Sequence, residues 1–251
     1  MLIHGAELLV HPDFRPLFEG LTRPRDIIGR WAPTLPRGRT RSAVRELHLP
    51  QGHFFFKVYA YTGLWRLRTL FIVSRARREY HNLLKMRKLG FNTPTPAAYG
   101  QERTLGLVSV SFLMTRAVEN AVSLRSIADD PAAAPWPLPS TPQRRRLIED
   151  LARTLRRAHD QGFFIHTLKG KNLLLAREDG DYRIYVIDVP FAGIWRYRIF
   201  REAGRVRDLA LLMRIGRGLL GRTDRMRFAR AYGAERRLLL RAREYQEKYY
   251  P

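Results

Sequence analysis

Four residues have the types and spacing for phosphate chemistry. Lys57 lies inside an apolar, strand-like run, Phe54-Phe55-Phe56-Lys57-Val58-Tyr59. A lysine there is either at an edge or held by an anion, because an unpaired buried charge is costly. Glu79, 22 residues further on, falls in the helix-like stretch SRARREYHNLL and faces the same way as Leu83 one turn later. A strand lysine fixed by a helix glutamate presents a steady cation to nucleotide phosphates. Ordinary ion pairs have the same composition, so this pair points to phosphates only in company with a second one. That second pair is Asn172 and Asp188, 16 residues apart on either side of a strand–turn–strand pattern. Their hard oxygens suit magnesium, which keeps several waters and takes other ligands from substrate phosphates. Read alone, Asn172 is also a turn residue and Asp188 a helix or turn cap.

The elements that must position these groups follow from periodicity. Residues 1 to about 35 are mixed, with Pro12, Pro16, Pro24, Pro33 and Pro36 breaking any long element. Arg45–Ala60 reads as a hairpin turning at Pro50-Gln51-Gly52. SRARREYHNLLKMRKLG predicts a helix capped by Ser74 and followed by Gly90, and strands follow around AAYG and LVSVSFLMT. The proline-rich DDPAAAPWPLPSTP, residues 129–142, reads as a linker or a loop between lobes. Thr141-Pro142 then opens a helix that Gly162 closes, with Leu147, Leu151, Leu155 and Ala158 at helical spacing. NLLLA and YRIYVID predict a strand pair around the turn EDGD. VRDLALLMRIGRGLL, TDRMRFARAYG and ERRLLLRAREYQEKYY predict helices. The order is α+β in two lobes, a β-rich 1–117 with one helix and a mainly helical 118–251.

Composition narrows the class. The chain of 251 residues is 45% hydrophobic, enough for one core or two closely packed lobes. Without a cysteine, disulfide scaffolds, thiol catalysis and cysteine-bound zinc are excluded. The beginning of the chain lacks the pattern of a signal peptide, and no apolar run approaches a membrane span, so a cytoplasmic protein is expected. Lys and Arg number 46 against 23 acidic residues, a formal net charge of +23. Such a field attracts polyanions: nucleic acid, an anionic membrane face, phosphorylated glycolipid or an acidic protein.

In FFFKVY, SRARREYHNLLKMRKLGFNTPTPAAYG, SFLMT, GFFIHTLKGKNLLL, YVIDV, RVRDLALL and GLLGRTDRMRFARAYG, the chain resembles the lipopolysaccharide kinase family of the Kdo/WaaP type. These stretches span about residues 38 to 233. The resemblance implies a two-lobed protein-kinase-like fold using ATP and Mg2+, with Lys57 and Glu79 orienting the phosphates and Asn172 and Asp188 holding the metal. It makes Met114, Thr115 and Arg116 the hinge beside adenine, and Asp208 the helix aspartate that braces the catalytic loop. It places GRTRSAV over the phosphates, with Gly38, Ser42 and Val44 among the nucleotide contacts. The sequence departs from the pattern in three places. Gly38 is the single glycine of that loop, and Asp188-Val189-Pro190 lacks the usual Phe-Gly. Most serious, counting back from Asn172 puts Ile165, His166 and Thr167 where His, Arg and Asp are expected. Thr167 thus stands at the catalytic-base position, and threonine takes no proton at neutral pH. His166 is the nearby alternative, but a conventional loop turns it away.

WRLRTLFIVSRARR (65–78) and WRYRIFREAGRVR (195–207) interleave Arg with aromatics, a composition for a membrane interface, for single-stranded nucleic acid, or for a solvated face. The resemblance favours the first. The expectation is a kinase of lipopolysaccharide core biosynthesis, peripheral to the inner membrane, whose partners are phosphorylated glycolipid, the anionic membrane surface and an acidic or partner kinase protein. Nucleic acid is the disfavoured partner. The alternative, carried by Thr167, is a pseudokinase scaffold that assists an active kinase.

Overall fold

The computed structural model describes residues 4–36, 42–195 and 197–250, with the side chains of 64, 65 and 198 outside that description. Residues 1–84 and 94–117 form one compact unit, and residues 85–93 and 118–251 form another.

The first unit is built on an antiparallel sheet. Its elements are β1 (His4–Val10), α1 (Pro24–Trp31), β2 (Ser42–Leu49), β3 (Gly52–Ala60), the single turn α2 (Leu64–Leu67), α3 (Arg75–Lys88, whose last turn belongs to the second unit), β4 (Pro96–Thr104) and β5 (Leu107–Arg116). The strand order is β1-β4-β5-β3-β2. Alternation along β3 sends Phe54, Phe56 and Val58 to one face, where all are fully buried with Ile27, Trp31, Phe112 and Met114. Trp31 meets the edge of Phe56, and Phe56 stacks on Phe112 at 5.1 Å. Each such side chain contributes about 1.5–3 kcal/mol on burial. The same alternation leaves Lys57 on the opposite face, in the cross-strand row Tyr99–Leu113–Lys57–Val44.

The N-terminal stretch, expected to hold no long element, supplies the edge strand β1. Its mid-strand Glu7 accepts hydrogen bonds from Tyr99 Oη and from Gln101 Nε2, the latter at 2.7 Å. Prolines end the strand and start α1, where a missing N–H costs nothing. α1 lies against the sheet at Gly100, where a Cβ would stand 2.5 Å from the Phe112 ring and 3.1 Å from Pro24.

The second unit contains β6 (Ala121–Ser123), α4 (Leu124–Asp129), α5 (Thr141–Asp160), β7 (Phe163–Phe164), β8 (Leu173–Glu178), β9 (Asp181–Val186), β10 (Gly193–Ile194), α6 (Arg198–Leu219), α7 (Arg222–Tyr232) and α8 (Arg236–Tyr249). β6, β8 and β9 form a three-stranded antiparallel sheet, and β7 pairs with β10. α7 packs along α5, and α8 along α6. Gln143 Oε1 accepts from Ser140 N at 3.0 Å to cap α5. Gly162, at φ +74°, turns the chain out of that helix into β7.

Two expectations need correction. The proline-rich stretch does not run between lobes but lies within the second unit, where Trp136 meets the edge of Tyr182 and Tyr182 Oη donates to Pro137 O. The buried stripe of α5 is Ile148, Ala152, Leu155, Ala158 and His159, rotated from the one expected. Leu147 and Leu151 instead line a cavity of about 750 Å³ with Leu212, Met213, Leu239 and Leu240.

Gly100→Ala forces a methyl into the Phe112 ring, and such overpacking costs about 1–3 kcal/mol. Its urea midpoint should fall, with part of the loss recovered when Phe112→Leu is added. A Gly100→Ala chain as stable as the parent would show that α1 does not press on the sheet there.

Candidate functional site

In the first unit the strand lysine and helix glutamate meet. Lys57 Nζ donates to Glu79 Oε1 at 2.8 Å. Glu79 is 1% exposed, and its other oxygen accepts from Tyr59 Oη at 3.0 Å. Tyr59 lies two residues beyond Lys57 on the same strand face, so β3 supplies two partners to one buried carboxylate. α3 is held at its start by Ser74 Oγ, which accepts from Arg77 N at 3.3 Å. Val44 stands directly across the sheet from Lys57 and is 58% exposed, an open apolar surface beside the cation. Ser42, also exposed, is opposite Tyr59. Gly38 lies outside the described residues. Met114 faces the apolar core with Phe56 and Ala98; buried Thr115 and exposed Arg116 finish β5, with Arg116 N donating to Thr95 O at 2.9 Å.

The second unit holds the loop between β7 and β8. Asp208, fully buried on α6, accepts from Ile165 N at 2.7 Å and His166 N at 2.6 Å. Its Oδ2 also faces His159 Nε2 at 3.2 Å, and His159 Nδ1 is 2.7 Å from Tyr232 Oη. One tautomer satisfies both ends, with Nε2–H donating to Asp208 and Nδ1 accepting from the tyrosine. Burial pushes the Asp208 carboxyl upward, but the hydrogen bond from His159, with electrostatic help from the nearby imidazoles and the Ile165 amide, holds it below the usual carboxylate range.

Bracing by Asp208 fixes the residues that follow. His166 takes φ +61°, and its buried ring packs on Trp195 at 4.8 Å and on Phe164. Neither ring nitrogen has a hydrogen-bond partner among the described residues, and burial lowers the pKa of the group. A base in that position has no open path to an acceptor hydroxyl. Thr167 is half-buried, and its Oγ1 makes only a long 3.4 Å contact with Ile165 O. Its carbonyl accepts from Lys169 N at 2.7 Å and from Asn172 Nδ2 at 2.9 Å. With its amide group so engaged, Asn172 keeps Oδ1 as a hard donor. Ile187 N donates to Asn172 O at 2.9 Å, and Leu173 pairs with Val186, so Asn172 enters the hairpin on one strand while the half-buried Asp188 follows Asn172's backbone partner Ile187 at the end of the other. Asp188 has φ +57°, an uncommon backbone state of the kind concentrated at functional sites.

Residues 36–232 match the lipopolysaccharide kinase (Kdo/WaaP) family. The chain belongs to that family. A solved structure of WaaP in complex with acyl carrier protein has a TM-score of 0.69 at 23% identity, covering 98% of this chain and 100% of that one, which shows the kinase-like α+β fold. Over 93 residues, 37% of the chain, identity is 32% to dual specificity testis-specific protein kinase 1 of Rattus norvegicus and equally of Homo sapiens. That match spans only 14% of either relative.

As a member of this family the chain is kinase-like, and ATP, generally with Mg2+, is what such proteins use. Asn172 and Asp188 fit such a metal in kind, because both side chains offer hard oxygen. Sequence reasoning missed Tyr59, His159 and Tyr232. The signal for His159 was available: a histidine on the apolar side of a helix needs a buried partner, and Asp208 was already singled out.

The state of His166 sets a pH dependence. Its folded pKa lies below the unfolded value of about 6.5, so as pH falls the unfolded chain takes a proton that the folded chain refuses. Its contribution is complete above that value and is lost as pH drops toward the folded pKa. Asp208, also depressed, is lost only in stronger acid, below about pH 4. Urea midpoints should therefore fall between about pH 7 and pH 5. The fall should be shallower in His166→Asn; equal slopes for the two chains would remove His166 from this account.

Proposed function

We propose that this chain is an ATP- and magnesium-dependent kinase that transfers phosphate to a sugar hydroxyl of the lipopolysaccharide inner core at the cytoplasmic face of the inner membrane. The observation that supports this reading is the Asp208-braced loop, which leads into the hairpin where Asn172 accepts from Ile187 N, one residue before Asp188. In it, Asn172 and Asp188 hold Mg2+, whose charge offsets that of the nucleotide phosphates, and Lys57, steadied by Glu79, orients them. Gly38, Ser42 and Val44 would line the nucleotide, with Met114, Thr115 and Arg116 at the hinge. Thr167 cannot serve as a general base, a role worth roughly a hundred- to ten-thousand-fold. Phosphoryl transfer rests mainly on positioning and electrostatics, so the activity expected is slow rather than absent. An anionic acceptor that supplies its own base suits such a site.

A second reading has its own support. Thr167 favours a pseudokinase that keeps nucleotide binding and assists a partner kinase. The net charge of +23 favours an acidic protein partner in either case, and WaaP has been solved with acyl carrier protein. The apolar cavity of the second unit, with Arg222, Arg225 and Arg236 among its lining residues, suits a partner that is both acidic and apolar.

Peripheral membrane binding is supported by side chains left in solvent. In the first unit Leu70 and Phe71 are exposed, the latter at 89%; in the second, Tyr197, Ile199 and Phe200 are exposed, Ile199 at 79%. Among the described residues no helix is long and apolar enough to cross a membrane. Arg66, expected to meet phosphate, is half-buried and donates to Thr104 O at 3.0 Å, so it serves the fold. Arg196 and the Arg198 side chain lie outside the described residues.

Calorimetric titration of ATP with and without Mg2+ should show metal-dependent binding that disappears in Asp188→Ala. No binding at about millimolar ATP would overturn the enzyme reading, since that is the upper range of ordinary substrate affinities. Phe71→Ser combined with Ile199→Ser should weaken binding to anionic liposomes about tenfold or more, each buried side chain being worth over 1.4 kcal/mol. Unchanged binding would remove these residues from the membrane contact.

A further inference from the structure

Toward its turn, beyond Val44 and Lys57, the β2–β3 hairpin gathers Glu46, His48 and His53. The spacing is Glu-x-His followed, across the Pro50-Gln51 turn, by His53. His48 and His53 are direct cross-strand partners, and Glu46 lies two residues back on the same face. The imidazoles stack with centroids 4.4 Å apart and planes 15° from parallel. Both turn Nε2 toward one carboxylate oxygen: Glu46 Oε1 is 2.7 Å from His53 Nε2 and 3.7 Å from His48 Nε2. One donor atom from each residue falls within a 4.8 Å cluster.

This arrangement is not settled by hydrogen bonds. His53 Nε2 is sealed from solvent and, despite its 2.7 Å approach to Glu46, has no partner in hydrogen-bonding geometry among the described residues. A neutral ring lone pair and a carboxylate oxygen at that distance repel each other unless a positive charge stands between them. A proton on His53 would serve for that pair alone. It would not account for the second imidazole aimed at the same oxygen, and protonating both stacked rings would set like charges 4.4 Å apart. A divalent cation satisfies all three groups at once.

We infer that Glu46, His48 and His53 form a binding site for a zinc-class divalent cation. Two imidazole nitrogens and one carboxylate oxygen are a donor set for zinc or its borderline neighbours, and not for magnesium, which takes oxygen. Tetrahedral zinc with ligands at about 2.0–2.1 Å keeps donor atoms about 3.3 Å apart, between the two distances observed. No fourth protein ligand stands in the cluster among the described residues, which leaves one position to water. The backbone of the better-buried ligand is already fixed, because His53 O accepts from Ala117 N at 2.8 Å. The charged neighbour Arg116 lies against Gly52, which the strand alternation puts on the other face. A metal here staples the turn of the hairpin whose second strand carries Lys57 four residues later.

The test uses the full chain, stripped with chelator and titrated calorimetrically with zinc chloride in buffer containing excess Mg2+. The expected result is one equivalent bound, with affinity reduced about tenfold or more in His48→Ala and in His53→Ala, and reduced in Glu46→Gln. Zinc should raise the melting temperature of the parent and not that of the His48→Ala/His53→Ala chain. Melting in chelator shows whether each variant folds, and exposed His48 keeps the test open if His53→Ala disturbs the hairpin. Absence of zinc binding, or binding unchanged in the folded His48→Ala chain, would overturn the inference. The outcome does not depend on ATP, so it stands or falls apart from the kinase reading.

Discussion

The second unit depends on one buried carboxylate. Asp208 has no access to water, and an ion moved there without partners would cost several kcal/mol. It is tolerated because three donors converge on it, the amides of Ile165 and His166 and the His159 ring. Those donors lie more than 40 residues before Asp208 in the chain, so the charge that α6 buries determines where the end of α5 and the β7–β8 loop must lie. The backbone of the loop is thereby specified before any side chain in it acts. His166 takes a positive φ, an uncommon state for a side chain of its size, with its own amide and that of Ile165 bonded to Asp208. Removing the acceptor would leave two buried N–H groups orphaned along with the imidazole, a failure concentrated in one place.

The first unit solves a similar problem with a different geometry. β3 alternates so that its aromatic residues close the core while Lys57 and Tyr59 emerge on the other face, toward α3. Glu79 is then buried by a cation and a phenol from a single strand. In both units a carboxylate on a helix is matched by donors from a strand or loop, and burial strengthens each bond while penalising its loss. Hydrophobic alternation decides which face the strand lysine occupies; the ion pair decides where its ammonium group points.

This division explains what could be read in the sequence. Elements with strong local signals were legible: the β2–β3 hairpin, α3 between Ser74 and Gly90, the β8–β9 pair and the last three helices. So were Lys57, Glu79 and Asn172 as candidates, from their residue types and spacing, while Asp208 was reached only through the family resemblance. What stayed hidden depends on partners remote in the chain. β1 looks too polar and too close to prolines to be a strand until Glu7 is seen to meet Tyr99 and Gln101, more than 90 residues away. The proline-rich stretch gives no local hint that Trp136 lies on Tyr182. α5 shows its period but not its angle, since the side that shields Ile148 and Ala152 is decided by neighbours and the adjacent leucines face a cavity. α6 begins before Val206, where Arg and aromatic residues carry no clear apolar stripe.

Thr167 separates the shape of the loop from its chemistry. Everything that holds residue 167 in place acts on its backbone: its carbonyl takes the Asn172 amide and the Lys169 N–H, and the two preceding residues hang from Asp208. The side chain adds only a 3.4 Å contact to Ile165 O, too long to contribute much. The loop would therefore keep its course with aspartate in this position as well as with threonine. Conversely, a well-formed loop carries no information about whether residue 167 can accept a proton. The placement of Asn172 is independent in the same way, since hairpin register and the Ile187 amide act on its backbone and not through the side chain of residue 167. On the proposed reading, a chain built like this lacks a general base without disturbing the residues that would hold the metal. That is the physical reason why a slow kinase and a nucleotide-binding scaffold are neighbouring states of one fold, set apart by the chemistry of a single side chain.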